Sequence, residues 1–180
     1  MGEYPVWSSY PASTVPEQWM LGVVGAFRDV ADQIDSTKVD GLSSDGVLAL
    51  VRPGLEAIGF EVESGRHAEE RIKRPVLFGE CGVPELTYEV DAVDVERGIV
   101  VEVEAGRGAQ SNALHRDLIR ASLIQGADYL VLAMMAEYRH KAGGKTVAKR
   151  SYKEAKAQLD AIYASGRLQL PFKGILLIGY

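Results

Sequence analysis

Residues 91–104 read DAVDVERGIVVEVE and place Asp91, Asp94, Glu96, Glu102 and Glu104 among valines. Side chains alternate across a strand, so Glu102 and Glu104 project to one face while Val101 and Val103 project to the other. A turn centred on Glu96, Arg97 and Gly98, with Gly98 supplying a positive φ, folds the two runs into an antiparallel hairpin. Asp91 then lies across the ladder at or beside Glu102 or Val103, close enough for its carboxylate to join theirs. A slip of one residue reverses the face it takes, and Asp94, nearer the turn, is the competing choice. Three carboxylates this close repel one another unless they take up protons or a cation sits among them. Oxygen ligands without Cys or His suit Mg²⁺ or Mn²⁺, which keep several waters and commonly bind phosphate as well. An ion of this kind can activate water and neutralise charge on a phosphodiester in transition. Alternating Glu and Val is also the pattern of a half-buried strand with a wet face. The reading therefore rests on the combination: an Asp across the hairpin, Glu-x-Glu on its second strand, a Gly-rich loop, and a helix carrying Asn112, Arg116 and Arg120 at a spacing of four.

Those groups need a scaffold, and the chain has the size for one. Its 180 residues, 47% hydrophobic and 25% charged, predict one globular domain over 1–180. The longest apolar runs, YLVLAMM (129–135) and GILLIG (174–179), are too short to span a bilayer, and the N-terminus lacks a basic segment followed by an apolar one. A soluble, cytoplasmic protein without a membrane partner is expected. A single cysteine, Cys81, forms no internal disulfide, and the scattered His67, His115 and His140 give no zinc spacing.

Along the chain, residues 1–13 are rich in Pro, Ser and aromatics and predict an irregular arm. Thr14-Val15-Pro16-Glu17 has a capping-box pattern, and the apolar spacing predicts a helix from there to about Ile34, with Trp19 and Phe27 in the core. Ser43-Ser44-Asp45 caps a second helix, which Pro53-Gly54 is expected to kink or restart. A short strand at 60–63, a polar loop over 64–75, the acidic hairpin (strands near 86–95 and 99–104), a helix over 111–125 and a buried strand at 129–134 follow. A basic loop, a helix over 151–164 and a last apolar strand at 174–178 complete the chain. This order predicts an α/β sandwich with a central mixed sheet flanked by helices.

The net charge is −5, but it is unevenly divided. Through Glu104 there are 8 basic and 20 acidic residues, a balance of −12; from Ala105 onward there are 12 and 5, a balance of +7. The basic part fits a phosphate track, with Arg107, Arg116 and Arg120 near the acidic hairpin and Arg139, His140, Lys141, Lys145, Lys149 and Arg150 in the later loop. No base-reading element is legible.

The run Val90-Asp91 … Glu102-Val103-Glu104, after a helix containing Glu56 and before a helix and a buried strand, resembles the core of the PD-(D/E)XK, or restriction-endonuclease-like, nucleases. The resemblance spans roughly 45–135 and implies a restriction-endonuclease-like core with an extra N-terminal helix and a C-terminal basic loop, helix and strand over 136–180. It implies that Asp91 and Glu102 bind Mg²⁺ and that Glu56 assists. Val90 stands where the family name has proline. Glu104 stands where the family usually has the lysine that orients the attacking water, a variation similar to that of some type II restriction endonucleases. The implied function is Mg²⁺-dependent endonucleolytic hydrolysis of DNA, with a homodimer as a means to cut both strands. The alternative is an inactive nuclease-fold domain that binds nucleic acid or protein.

Overall fold

The computed structural model describes residues 4–65, 67, 69–105 and 113–180. It begins with a strand, β1 (Val6–Tyr10), where the sequence predicts an irregular arm. β1 lies antiparallel to the last strand, with Val6 opposite Gly179 and Tyr10 opposite Ile175. The Tyr10 hydroxyl donates to Asp160 at 2.7 Å and its ring stacks on Tyr163, so what holds this strand lies far along the sequence.

Three helices follow, α1 (Gln18–Asp29), α2 (Ala31–Ile34) and α3 (Ser44–Ala57). The predicted capping box does not form. The Thr14 hydroxyl donates to the Pro11 carbonyl at 2.8 Å, and the Glu17 carboxylate accepts from the Trp19 indole at 3.1 Å. The single helix expected to Ile34 breaks at Val30, where φ is −111°. Ser43 caps α3 by accepting from the Gly46 amide at 3.2 Å. α3 then runs through Pro53 without restarting. Its neighbour Gly54 explains why a break is avoided: a Cβ there would stand 2.7 Å from that of Ala26, so the bare backbone lets α1 and α3 touch. The burial gained offsets the local cost of proline.

The remaining elements are β2 (Glu61–Val62), β3 (Ile72–Phe78), β4 (Pro84–Val90), β5 (Ala92–Asp94), β6 (Ile99–Glu104), α4 (Ala113–Leu123), β7 (Tyr129–Met134), β8 (Tyr138–Ala142), β9 (Lys145–Lys149), α5 (Ser151–Ser165) and β10 (Gly174–Gly179). The central sheet has the order β1-β10-β7-β6-β5-β2. β6, β7 and β10 are parallel to one another, while β1 and β5 run antiparallel to their neighbours. The segment predicted as a polar loop ends in β3, which pairs with β4 in a separate two-stranded sheet. The predicted basic loop is a second hairpin, β8–β9, turned by Gly143 and Gly144, both at positive φ.

Both faces of the central sheet are covered, which fits the continuous apolar runs of β7 and β10. On one face Phe27 of α1 and Val51 and Leu55 of α3 pack with Val101, Val103, Val131 and Ile178. On the other, Leu114 and Leu118 of α4 and Leu159 of α5 pack with Val100, Leu130, Leu132 and Leu177.

Candidate functional site

The acidic hairpin takes the register Ala92 opposite Val101, Val93 opposite Val100 and Asp94 opposite Ile99. Gly98 closes it at φ 66°, and a Cβ there would stand 2.6 Å from the Gly126 carbonyl oxygen, so both the turn and the adjoining loop require glycine. One step beyond the ladder, at the bend between β4 and β5, Asp91 accepts from the Val103 amide at 2.6 Å. Its own carbonyl accepts from the Glu63 amide at 2.9 Å, which ties in the end of β2. Asp94 is occupied at the turn, where it accepts from the Arg97 amide at 3.0 Å and the Arg97 guanidinium at 2.5 Å. Of the two, Asp91 is the acid whose charge reaches Glu102, while Asp94 is taken up by Arg97.

Glu102 and Glu104 project from β6 towards α4, where they meet a further acid, Asp117. Glu102 is 8% exposed and Asp117 is 1% exposed. Burial and the neighbouring carboxylates act in the same direction. Asp91 is pushed up to about 7, chiefly by burial, with Glu63, Asp117 and Asp45 adding to it against the Val103 amide. Glu102 is raised well above the ordinary carboxylate range by burial and then by Asp91 and Asp117, with Arg120 opposing. Glu104 is pushed up to about 7 by burial and then by Asp117, while Arg116 opposes. The Arg116 guanidinium pairs with Glu104 through one nitrogen and with Asp117 Oδ1 at 2.9 Å through another. Arg120 lies over the Tyr88 ring at 5.1 Å and donates to the Glu89 carbonyl at 3.1 Å. The second Asp117 oxygen, Oδ2, is buried with no hydrogen-bond partner.

Glu63 extends the cluster at the end of β2. Arg71 lies 3.8 Å from it and also pairs with Glu89, while Arg52 donates to the Glu63 carbonyl at 2.7 Å. Burial raises the Glu63 carboxyl above the usual range, with Arg71 opposing. Glu56 stands exposed in the last turn of α3. Asp45, in the first turn of the same helix, is the acid whose charge reaches Asp91 and Glu63. Eleven residues of helix place Glu56 about 16 Å further along the axis.

The structure therefore brings Asp91, Glu102, Glu104, Arg116 and Arg120 together. Lys145, Lys149 and Arg150 sit apart, on β9 and at the start of α5, but their hairpin follows Met134, which pairs with Glu104 at the end of β6. Arg107 and Asn112 lie outside the described residues. Sequence reasoning missed Glu63, Asp45 and Asp117. Asp117 had a legible signal: it falls three residues after Leu114 and four before Ala121, a carboxylate on the apolar stripe of its helix.

Among the described residues no group of three or more Asp, Glu, His or Cys side chains is arranged to hold a metal ion. Two carboxylates with solvent and phosphate completing the shell are an ordinary Mg²⁺ arrangement, and Asp91 and Glu102 are neighbouring buried carboxyls. The hard oxygen donors, the buried unpartnered oxygen of Asp117 and the upward displacement of three carboxyls all fit a divalent cation.

A mixed six-stranded sheet with helices on both faces and an acidic hairpin on β5 and β6 constitutes a restriction-endonuclease-like fold. Among solved structures the chain is similar to restriction endonuclease BglII, determined with a DNA 16-mer, at a TM-score of 0.55 and 12% identity, covering 98% of this chain and 78% of that one. At that identity the likeness is one of fold. No family model matches the chain, and no curated protein matches it in sequence. Among the described residues no helix is long and apolar enough to cross a membrane.

Proposed function

We propose that the protein is a divalent-metal-dependent endonuclease that hydrolyses phosphodiester bonds in DNA, a variant of the PD-(D/E)XK arrangement with Glu-x-Glu on its second strand. The observation that carries this reading is the meeting of Asp91, Glu102 and Glu104 on the β5–β6 hairpin of a restriction-endonuclease-like fold. Asp91 and Glu102 would hold Mg²⁺ or Mn²⁺, which would supply Lewis-acid stabilisation of phosphoryl charge and a lowered pKa for water. Glu104, standing where the family usually has the orienting lysine, would take the proton of the attacking water. The half-exposed Arg116 and its neighbour Arg120 offset negative charge at the rim, and Lys145, Lys149 and Arg150 extend a phosphate track beyond it. A DNA substrate is supported by the DNA 16-mer in the similar BglII structure. Paired cuts in the two strands would come from a homodimer.

The test is cleavage of supercoiled DNA in Mg²⁺ or Mn²⁺ by the wild type, Asp91→Ala and Glu102→Ala. Both substitutions should abolish cleavage while circular dichroism stays native. Cleavage that persists in both removes the assignment. Salt-dependent DNA binding by the wild type without cleavage in any divalent ion makes the domain a binding module of nuclease shape.

A further inference from the structure

We infer that Asp117 is a further member of the divalent-cation site, an acidic group supplied by α4 to the carboxylates of the β5–β6 hairpin. The inference rests on the nuclease reading above and goes beyond it, since Asp117 lies outside the hairpin that carries the proposed ligands.

Its surroundings separate this role from a structural one. Asp117 Oδ1 accepts from Arg116 Nε at 2.9 Å, which accounts for one oxygen. Oδ2 is buried and receives no hydrogen bond while Glu104 is ionised. A salt bridge to Arg116, which is 48% exposed, does not need a carboxylate that is 1% exposed and set among Leu114, Leu118 and Ala121. Burying an acid in that stripe is costly unless a positive charge meets it. The local cations fall short. Asp91, Glu102, Glu104 and Asp117 face Arg116 and Arg120, and Arg120 directs a nitrogen to the Glu89 carbonyl instead. Ionised together, these four acids exceed the two arginines by two charges, which a divalent cation would supply. Because no three acids among the described residues are arranged to enclose an ion, Asp117 acts on it by charge and not as a third direct ligand.

Calorimetric titration with Mn²⁺ and thermal melts with and without Mn²⁺ test this on the wild type, Asp91→Asn and Asp117→Asn. Asp117→Asn should weaken Mn²⁺ binding about tenfold or more, the range seen when groups supporting a metal site are removed. It should also raise the Tm of the metal-free protein, because one of four crowded carboxylates is gone, and shrink the Tm gain that Mn²⁺ gives. Wild-type affinity in Asp117→Asn, with binding lost in Asp91→Asn, overturns this inference and leaves the nuclease reading standing. A wild type that binds no Mn²⁺ overturns both. Should Asp117→Asn fail to fold, Arg116→Gln provides the second measurement. Mn²⁺ should raise its Tm by more than in the wild type, and adding a further Asp117→Ser should remove that excess; an excess that survives assigns the effect to Glu104 alone and overturns the inference.

Discussion

The two faces of β6 are built from alternate residues of one strand and are buried to a similar depth, yet they obey opposite rules. Val101 and Val103 turn towards α3 and complete an apolar cluster in which every neighbour gains from burial. Glu102 and Glu104 turn towards α4, which offers not a neutral surface but another acid, Asp117. The first face explains why the strand is there. The second works against folding while its acids are ionised, and under the proposed function it is retained for the cation it would bind. The contrast also shows that alternation of Glu and Val need not mean one dry and one wet side, since both sides of this strand are covered.

Exchanging the chemistry of the two faces is expected to produce the largest effects. Val101→Asp puts an unpaired charge into the apolar cluster and should prevent folding, because such a charge costs a large part of the about 5–15 kcal/mol that stabilises a domain of this kind. Glu102→Leu, one position away, should instead stabilise the metal-free protein by about 1–4 kcal/mol while abolishing cleavage. Denaturant titration followed by circular dichroism reads both, and a Glu102→Leu protein less stable than the wild type would break the comparison.

The pH dependence sharpens it next. Asp91 and Glu104 rise from ordinary values of 3.8 and 4.5 to about 7 in the folded protein. Between those limits the folded state binds protons that the unfolded chain has released, so stability falls as pH rises through the window. Each unit of displacement corresponds to about 1.4 kcal/mol. The metal-free protein should therefore lose several kcal/mol between pH about 4 and about 7, with no further loss from this source above it. Thermal melts across that range check the slope, and added Mn²⁺ should flatten it.

The smallest effect belongs to the basic hairpin. Lys149→Ala should leave folding untouched, weaken DNA binding about equally for all sequences and reduce the slope of log affinity against log salt by about 0.9. Fluorescence anisotropy over a salt series measures it, and an unchanged slope would place Lys149 off the phosphate track.

Much of the site's centre was legible because it is local. Period-two alternation and one glycine put Asp91 at or beside Glu102 or Val103, with Asp94 as the competing choice, and capping and apolar spacing located α3, α4, α5 and β7 within a few residues. The misses share a cause. β1 depends on β10 and α5, β3 depends on β4 for its pairing, and the helix through Pro53 depends on Ala26 of another helix. In each, partners distant in sequence overrule a local signal. Asp117 is a different kind of miss: its place on an apolar stripe was visible, but the reading of its helix followed the arginines. Glu63 and Asp45 carried no such mark, since only the tertiary fold brings the end of β2 and the start of α3 to Asp91.

The bend at Asp91 divides one run of sequence between two sheets, with β4 pairing to β3 outside and β5 joining the central sheet. The outer hairpin can therefore change in length, tip sequence or twist without altering the register of β6, because its ladder is its own. Its ties to the rest lie at the root, where Ile72 meets Val90 and Arg120 grips the Glu89 carbonyl, and one step further out, where Gln125 donates to the Pro75 and Val76 carbonyls. For an engineer, or for evolution, β3–β4 is the part of the molecule next to the acids that can be rebuilt or exchanged, with Val90 as the boundary that such grafts must respect.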